Sequence, residues 1–362
     1  MMRNRNGCSI YQYLYVAVAR QRETTVRVHA TQHALHDRIQ NGKDRELALT
    51  RIFFATDVHG SEKTYIKFLN AASFYKSQIL ILGGDITGKV IVPLVKDPNG
   101  YSGKFRGIDR LARNDSELET LEREIREAGY YPYRTEPGEM AELQADESRV
   151  QPIFKRLMLD MLKRWIQMAE ERLRGTGVKI YMTGGNDDLL DIKDIIRASD
   201  YVVDPEDRVV DIDGKHEVIS LAWSNPTPWN TPRECSEEEL WKKIEAMTSQ
   251  VKNMKSCIFN THLPPANTMI SECVKLDKDL KPVFVGSEPD MISAGSTSVL
   301  KSIEQHQPLL GLHGHIHEAR GNVKIGRTLC INPGSESSEG ILRGVMVNLE
   351  AESVKSYLLT SG

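Results

Sequence analysis

The stretch RIFFATDVHG, residues 51–60, is a short apolar run that ends in an Asp-x-His triplet. The segment that follows it, EKTYIKFLNAASFY, has a helix-like pattern of apolar residues. In α/β sheets, ligand sites are built where strands deliver polar groups at their C-terminal ends. This stretch therefore predicts an α/β protein with a site just after its first strand.

The same plan of an apolar run followed by polar groups recurs three times along the chain. It appears in QILILGGD (78–85), GVKIYMTGGND (177–187) and SCIFNTH (256–262). The C-terminal third, from LLGLHGHIH to SVKSYLLT, reads as short strands separated by turns. Strand–helix alternation followed by a run of strands predicts two packed sheets with helices outside.

The composition excludes several classes of protein. A net charge of −3 over 362 residues does not suit a protein that coats DNA, so we do not expect a nucleic-acid partner. No run approaches the ~18 apolar residues that a membrane span needs. The five cysteines are an odd number without a CxxC pair, which favours reduced thiols and a cytoplasmic protein.

The first 48 residues differ from the rest of the chain. They are mostly polar, and we predict a poorly ordered extension, 1–48, before a catalytic domain that spans 49–362. An organelle-targeting leader is the alternative, because the first 22 residues contain arginine and no acid.

Residues 88–150 interrupt the strand–helix order and are predicted to form an inserted cap or lid. KVIVPLVKDPNGYSGKFRGI suggests a hairpin with DPNG at its turn. After the insertion, residues 151–173 have the spacing of an amphipathic core helix. Because the insertion begins three residues after Asp85, its basic side chains could draw in an anionic substrate, or could merely solvate an exposed hairpin. These basic residues are Lys89, Lys96, Lys104, Arg106 and Arg110.

The polar groups at the predicted strand ends form a set of carboxylates, imidazoles and one amide. The set consists of Asp57, His59, Asp85, Asn186, His262, His315 and His317. Without a thiolate, it suits Mn, Fe or Zn ions better than a structural zinc site. Seven ligands are too many for one tetrahedral ion but suit two ions that share a carboxylate. Such a pair can clamp a phosphoryl group and lower the pKa of a bridging water.

The order of these motifs resembles that of the calcineurin-like metallophosphoesterases, which carry D-x-H, G-D-x-x-D, G-N-H-[DE], H and G-H-x-H. The corresponding segments here are DVH (57–59), GGDITG (83–88), GGNDD (184–188), THLPP (261–265) and GHIH (314–317). INPGS (331–335) is similar to a loop found in several bacterial-type members. The resemblance covers residues 50–360 apart from the insertion. It implies a four-layer sandwich of two mixed β-sheets flanked by helices, with the inserted cap.

Carried over position by position, the resemblance implies two divalent or transition metal ions. Asp57, His59 and His317 would hold the first ion, and Asn186, His262 and His315 the second. Asp85 would bridge the two. We expect manganese, with iron, zinc or nickel as alternatives. His313 lies outside the motif and is predicted to be a core histidine or one that orients a ligand.

Two positions depart from the family pattern and place the chain in a divergent branch that carries GGND. Asp187 stands where the family has a histidine, and Gly88 replaces the second aspartate of G-D-x-x-D. Unless its environment raises its pKa, a carboxylate at 187 is ionised at pH 7 and would repel a phosphate oxygen. Without a strong general acid, we expect activated aryl phosphates or diesters to be better substrates than alkyl phosphates.

The resulting prediction is a metal-dependent phosphoesterase that hydrolyses a small phosphate mono- or diester with a hydroxide bridging two metals. Its predicted catalytic residues are Asp57, Asp85 and Asp187. The alternatives are a nuclease or nucleotide pyrophosphatase on the same site, and a weakly active protein of the same fold with a binding or scaffolding role. The sequence leaves the natural substrate and the oligomeric state open.

Overall fold

The structure is a computed structural model, and it describes residues 49–362. The predicted N-terminal extension, 1–48, lies outside the described residues. Within 49–362, none of the helices combines the length and apolar character needed to cross a lipid bilayer.

The first sheet is mixed and has six strands. Their order is β20 (Ser353–Ser361), β19 (Arg343–Glu350), β1 (Thr50–Ala55), β2 (Ile79–Gly83), β7 (Lys179–Thr183) and β8 (Val202–Val203). The four strands from β1 to β8 are parallel, whereas β19 and β20 run antiparallel at one edge. The apolar runs that end in Asp57, Asp85 and Asn186 are thus three adjacent parallel strands.

The second sheet is also mixed and has six strands. Their order is β17 (Gly321–Ile325), β18 (Thr328–Asn332), β16 (Leu310–Leu312), β11 (Cys257–Thr261), β10 (Glu217–Leu221) and β9 (Val209–Asp211). Its four central strands are parallel, and β17 and β9 are antiparallel edges. The runs before His262 and His315 are neighbours here.

The two sheets pack face to face between two layers of helices. Side chains alternate between the faces of a strand, so Phe54 belongs to the core between the sheets while Phe53 packs on the helical side. The first sheet is covered by α1 (Glu62–Phe74), α4 (Val150–Leu173) and α5 (Ile192–Arg197), and the second by α6 (Glu237–Thr248) and α7 (Thr297–His306). The predicted four-layer α/β sandwich is therefore confirmed, as is the predicted core helix at 151–173.

The insertion folds as a small unit with its own sheet. Its strands lie in the order β5 (Ile108–Ala112), β4 (Gly100–Phe105), β3 (Ile91–Asp97) and β6 (Tyr131–Thr135), and its helices are α2 (Asp115–Glu127) and α3 (Pro137–Ala145). The DPNG turn is confirmed, because Asp97 pairs with Gly100. The predicted hairpin is only part of the unit, since β6 returns parallel to β3 and α2 closes a separate apolar core.

Two short antiparallel pairs complete the strands of the described residues, and both lie between β11 and α7. They are β12 (Glu272–Val274) with β15 (Met291–Ser293), and β13 (Phe284–Val285) with β14 (Glu288–Pro289). Their side chains are mostly exposed.

The ring stack between α1 and α4 generates a prediction about stability. The rings of Tyr65 and Trp165 lie 4.1 Å apart at an interplanar angle of 4°, and both side chains are fully buried. Trp165→Ala is expected to lower the free energy of unfolding by about 3–5 kcal/mol, because it leaves a large cavity. Urea unfolding followed by circular dichroism measures the loss.

The matched control is Phe74→Ala at the end of α1, where the ring is 78% exposed. It should change the free energy of unfolding by no more than about 0.5 kcal/mol. Equal losses for the two variants would contradict the assignment of this stack to the core.

Candidate metal centre

The seven predicted ligands all lie at the C-terminal ends of parallel strands. In the first sheet, Asp57 and His59 follow β1, Asp85 follows β2 and Asn186 follows β7. In the second sheet, His262 follows β11, and His315 and His317 follow β16. Because the sheets pack face to face, these two rows of strand ends meet at one edge of the sandwich.

Asp57, His59 and His317 form one group whose potential ligand atoms lie within 4.8 Å of one another. The Nε2 atoms of His59 and His317 are 3.1 Å apart. The Nε2 atom of His317 is 3.3 Å from Asp57 Oδ1. This spacing brings two imidazole nitrogens and a carboxylate around one centre.

Asp57, Asp85 and His262 form a second group with the same limit of 4.8 Å. His262 Nε2 lies 3.4 Å from Asp85 Oδ1 and 3.8 Å from Asp57 Oδ1. The other oxygen of Asp85, Oδ2, is 3.8 Å from His59 Nε2. The Asp85 carboxylate therefore faces His262 of its own group with one oxygen and His59 of the first group with the other, as a bridging ligand would.

Asn186 and His315 complete the set on the side of His262. The Oδ1 atom of Asn186 and the Nδ1 atom of His315 are 2.7 Å apart. The rings of His262 and His315 have centroids 5.3 Å apart. The structure thus brings all seven predicted side chains together, although they come from five segments of the chain.

The backbone at the site is held in an uncommon conformation. Asp57, His59, Asp85 and His315 have φ angles of 53°, 42°, 46° and 67°. Residues with side chains rarely adopt this left-handed region, and such strain clusters at functional sites. Here the loop after β1 is hydrogen-bonded to the loop after β2, because the amides of Asp57 and His59 donate to the carbonyls of Gly84 and Asp85 at 2.9 Å.

Two motif glycines allow the ligands to approach each other's backbone. A Cβ at Gly84, which has a φ of +125°, would lie 2.3 Å from His262 Nδ1. A Cβ at Gly314 would lie 2.3 Å from the Asp57 carboxylate. The glycines of GGD and GHIH are therefore required by close packing around the candidate centre.

Burial and mutual attraction set the charges at the site. Burial opposes the charged form of His262, but the carboxylates of Asp85 and Asp57 outweigh it and raise its pKa to about 10. Burial also opposes ionisation of Asp85, yet His262 holds the pKa of that carboxyl well below its usual range. Burial lowers the pKa of His59 and of His315 to about 4, so both are neutral at pH 7 and able to donate a lone pair.

The surroundings of one buried nitrogen atom indicate whether these residues fit a cation. His262 Nε2 is buried and has no hydrogen-bond partner, although it faces two carboxylates. Buried polar atoms normally have a partner, and this one is aimed at the centre of an acidic cluster. A divalent ion there would displace the proton that His262 holds at pH 7, accept the nitrogen lone pair and offset the charge of both carboxylates. The donor set of oxygen and imidazole nitrogen fits Mn, Fe or Zn.

His313 belongs to the core rather than to the site. It is fully buried, and its Nδ1 atom lies 3.0 Å from the carbonyl of Thr261 and 3.1 Å from that of Leu263. The prediction of a core histidine or one that orients a ligand is confirmed, since His313 is buried and contacts the carbonyls on either side of His262.

Asp187, the departure from the family histidine, is paired with a cation. Its carboxylate contacts the ammonium of Lys89 and lies 3.9 Å from His59 Nδ1. Burial, and then repulsion from Asp85, raise the pKa of Asp187 to about 7 against the opposing effect of Lys89. The expected repulsion between the Asp187 carboxylate and a phosphate oxygen is therefore reduced, because the positively charged Lys89 ammonium contacts that carboxylate.

The other four basic side chains of the insertion contact groups outside the candidate centre or are exposed. Lys96 is 3.3 Å from Glu136, and Arg110 is 2.8 Å from Glu124, so acids of the insertion neutralise both. The Arg106 guanidinium contacts the carbonyl of Ser338, and Lys104 is exposed on β4. Of the five, Lys89 is the one that contacts a residue of the candidate centre.

Gly88, the second departure, is explained by the insertion. A Cβ at Gly88 would lie 2.1 Å from the carbonyl oxygen of Gly129, just after α2. A Cβ at Gly129 would in turn lie 2.4 Å from the carbonyl oxygen of His59. Ser61 Oγ also donates to the Glu127 carbonyl at 2.7 Å. The backbone after α2 thus occupies the space into which a larger side chain at position 88 would extend.

Sequence reasoning missed the groups that orient the loop of Asn186. The Asn186 side-chain amide donates to Thr231 Oγ1 at 3.0 Å, and the Arg233 backbone amide donates to the Asn186 carbonyl at 3.1 Å. Asp188 accepts hydrogen bonds from the amides of Thr87 and Gly185. Asp188 stands inside GGNDD and could have been noticed, whereas no local pattern marks Thr231 or Arg233.

Comparisons with known proteins show the fold and leave the activity open. No protein-family model matches the chain. An uncharacterized protein of Methanocaldococcus jannaschii is 39% identical over 121 residues, which span 33% of this chain and 48% of that protein. One solved structure aligns with a TM-score of 0.52 and 15% identity, over 86% of this chain and 99% of its own. A dimetal phosphatase from Danio rerio aligns with a TM-score of 0.37 and 10% identity, over 86% and 98%.

The glycine junction beside His59 generates a prediction. Gly129→Ala should destabilise the protein more than Gly107→Ala does. Both glycines have positive φ, +89° and +78°, but a Cβ at Gly107 meets nothing within 4 Å. Gly107→Ala should therefore cost about 1–2 kcal/mol for conformation alone.

Gly129→Ala adds a clash with the His59 backbone, which we expect to cost a further 1–3 kcal/mol or so. Urea unfolding of the two variants and the wild type measures the difference. If the two variants unfold at the same urea concentration, the insertion does not press on the His59 loop as described.

Proposed function

We propose that this chain is a metal-dependent phosphoesterase of the calcineurin-like metallophosphoesterase superfamily, in a branch that carries GGND. It would hydrolyse a small phosphate mono- or diester with two divalent or transition metal ions. Manganese is the expected metal, and iron, zinc or nickel are alternatives. The observation that carries this proposal is the pair of ligand groups that share Asp57, in which Asp85 of the second group also faces His59 of the first and His262 Nε2 faces both carboxylates.

The proposed division of ligands is the one that the resemblance implies. Asp57, His59 and His317 would hold one ion, and Asn186, His262 and His315 the other, with Asp85 shared. When bound, two such cations supply Lewis-acid polarisation of a phosphoryl group and a hydroxide nucleophile at neutral pH.

The chain's own contribution would be to orient ligands and to bind the phosphate. The Asp187 amide donates to Asp85 Oδ1 at 3.0 Å, which orients the shared carboxylate. The Lys89 ammonium, placed at the site by Asp187, would contact a phosphate oxygen of the substrate. In this arrangement Asp187 would hold the Lys89 ammonium in place, and its carboxyl, with a pKa raised to about 7, could also donate a proton to the leaving group.

Metal content and hydrolysis test the proposal directly. Protein purified without chelator should contain about two transition-metal ions per chain by plasma mass spectrometry, and Mn²⁺ should support hydrolysis of 4-nitrophenyl phosphate. His262→Ala should lose metal and lower kcat/KM by at least about 100-fold.

The control is His306→Ala, which removes an imidazole that pairs with Glu245 at the opposite end of the second sheet, before β16. It should keep the wild-type metal content and activity. A wild-type protein without bound metal and without hydrolysis would instead favour a binding or scaffolding role.

A charge change at Lys89 tests the proposed phosphate contact. Lys89→Gln should lower kcat/KM for 4-nitrophenyl phosphate by about 10- to 100-fold at unchanged metal content, because a charge-assisted hydrogen bond to the phosphate is lost. Lys96→Gln is the matched control, since the two lysines are similarly exposed, 57% and 55%, and each pairs with an acid. If both variants retain full activity, Lys89 does not contact the substrate.

A further inference from the structure

The loop whose base contacts the proposed ligand Asn186 carries an exposed tryptophan, Trp229. Trp229 is 60% exposed, and it lies in the loop of residues 222–236 between β10 and α6. Leaving a large aromatic ring in water forgoes its burial, and a ligand with a planar ring would recover part of that burial.

The loop presents Trp229 in a fixed conformation. A turn runs from Thr227 to Asn230, with the Asn230 amide 3.4 Å from the Thr227 carbonyl, and Trp229 N donates to Thr227 Oγ1 at 3.2 Å. The carboxylate of Glu234 accepts from Thr227 Oγ1 at 2.5 Å and from Thr231 N at 2.7 Å. Prolines at 226, 228 and 232 restrict the backbone further. Little conformational entropy would therefore be lost when a ligand packs on the ring.

The base of the loop is attached to a proposed metal ligand. Thr231 Oγ1 accepts from the Asn186 side chain at 3.0 Å, and Arg233, fully buried, donates from its backbone to the Asn186 carbonyl. Trp229 is two residues from Thr231, and two residues of chain span at most about 7 Å. The backbone of Trp229 is thus within about 7 Å of that of Thr231, the residue that contacts Asn186.

We propose that Trp229 is a stacking platform for a planar ring carried by the phosphate ester, either a nucleobase or an aryl group. This inference rests on the proposed function and narrows its substrate class to esters that bear such a ring. The phosphate would lie at the ligand groups and Lys89, and the ring would extend past Asn186 onto the indole. Aromatic side chains stack on planar rings of either kind because both have a π-face.

The test compares ring-bearing and ring-free substrates on the Mn²⁺-loaded full chain. Trp229→Ala should lower kcat/KM by about tenfold for phenyl phosphate, for adenosine 5′-monophosphate, or for both, mainly through KM. Glycerol 2-phosphate, which has no ring, should change by less than about twofold. A loss confined to phenyl phosphate identifies an aryl ester, and one confined to the nucleotide identifies a nucleoside ester.

Two further variants serve as controls for the effect of Trp229→Ala. Trp229→Phe keeps an aromatic face and should retain most of the activity on ring-bearing esters. Phe74→Ala removes another exposed aromatic ring at the far end of α1 and should leave all three substrates unaffected. If Trp229→Ala lowers kcat/KM equally for all three substrates, or for neither ring-bearing ester, Trp229 is not a stacking platform.

A binding measurement separates failure of the platform from failure of the proposed function. Quenching of tryptophan fluorescence by adenosine 5′-monophosphate or phenyl phosphate should be present in the wild type and reduced in Trp229→Phe. If quenching depends on Trp229 but no ester is hydrolysed, the platform stands and the phosphoesterase proposal fails. If esters are hydrolysed but neither quenching nor KM depends on Trp229, the function stands and the platform fails.

Discussion

The contact between the Asp57 carboxylate and the backbone of His315 is the constraint on which the candidate centre depends. Asp57 belongs to the first sheet and His315 to the second, and the His315 amide donates to Asp57 Oδ1 and Oδ2 at 3.2 and 3.1 Å. A side chain at Gly314 would push this carboxylate away. Because Asp57 is also within reach of His317 and His262, the one contact sets the spacing of both ligand groups.

The insertion is part of the site's architecture rather than an appendage to it. Its backbone at Gly129 packs against Gly88 and against the carbonyl of His59, and the Tyr131 hydroxyl accepts from the Gly88 amide at 2.7 Å. These contacts place the insertion against both motif loops, with Lys89 between them. A segment held in this way is suited to form one side of the site. Its position accounts for both departures from the family pattern, Gly88 and Asp187. Gly88 makes room for the insertion, and Lys89 supplies the positive charge that accompanies Asp187.

Asn186 has a corresponding role on the other side of the site. Its side chain joins His315 to Thr231, so the loop of Trp229 is oriented by the same residue that is proposed to bind a metal. Arg233 and Glu206 form a buried ion pair that holds the base of that loop. Its Nη1 and Oε2 atoms are 2.8 Å apart. Phosphate binding and recognition of the rest of the substrate would therefore be coupled through short, rigid connections. Such coupling favours a substrate that is held at two points.

The sequence by itself determined the sandwich and the seven polar residues at its strand ends. Apolar runs, turn residues and terminal polar groups are local features, and parallel strands necessarily bring their C-terminal ends to one edge. Only the tertiary structure decided which distant groups meet. It placed Lys89 on Asp187, Thr231 on Asn186 and the Gly129 backbone against Gly88, and it neutralised Lys96 and Arg110 with acids of the insertion. These partners lie from 14 to 98 residues apart along the chain, so no local pattern could have identified them.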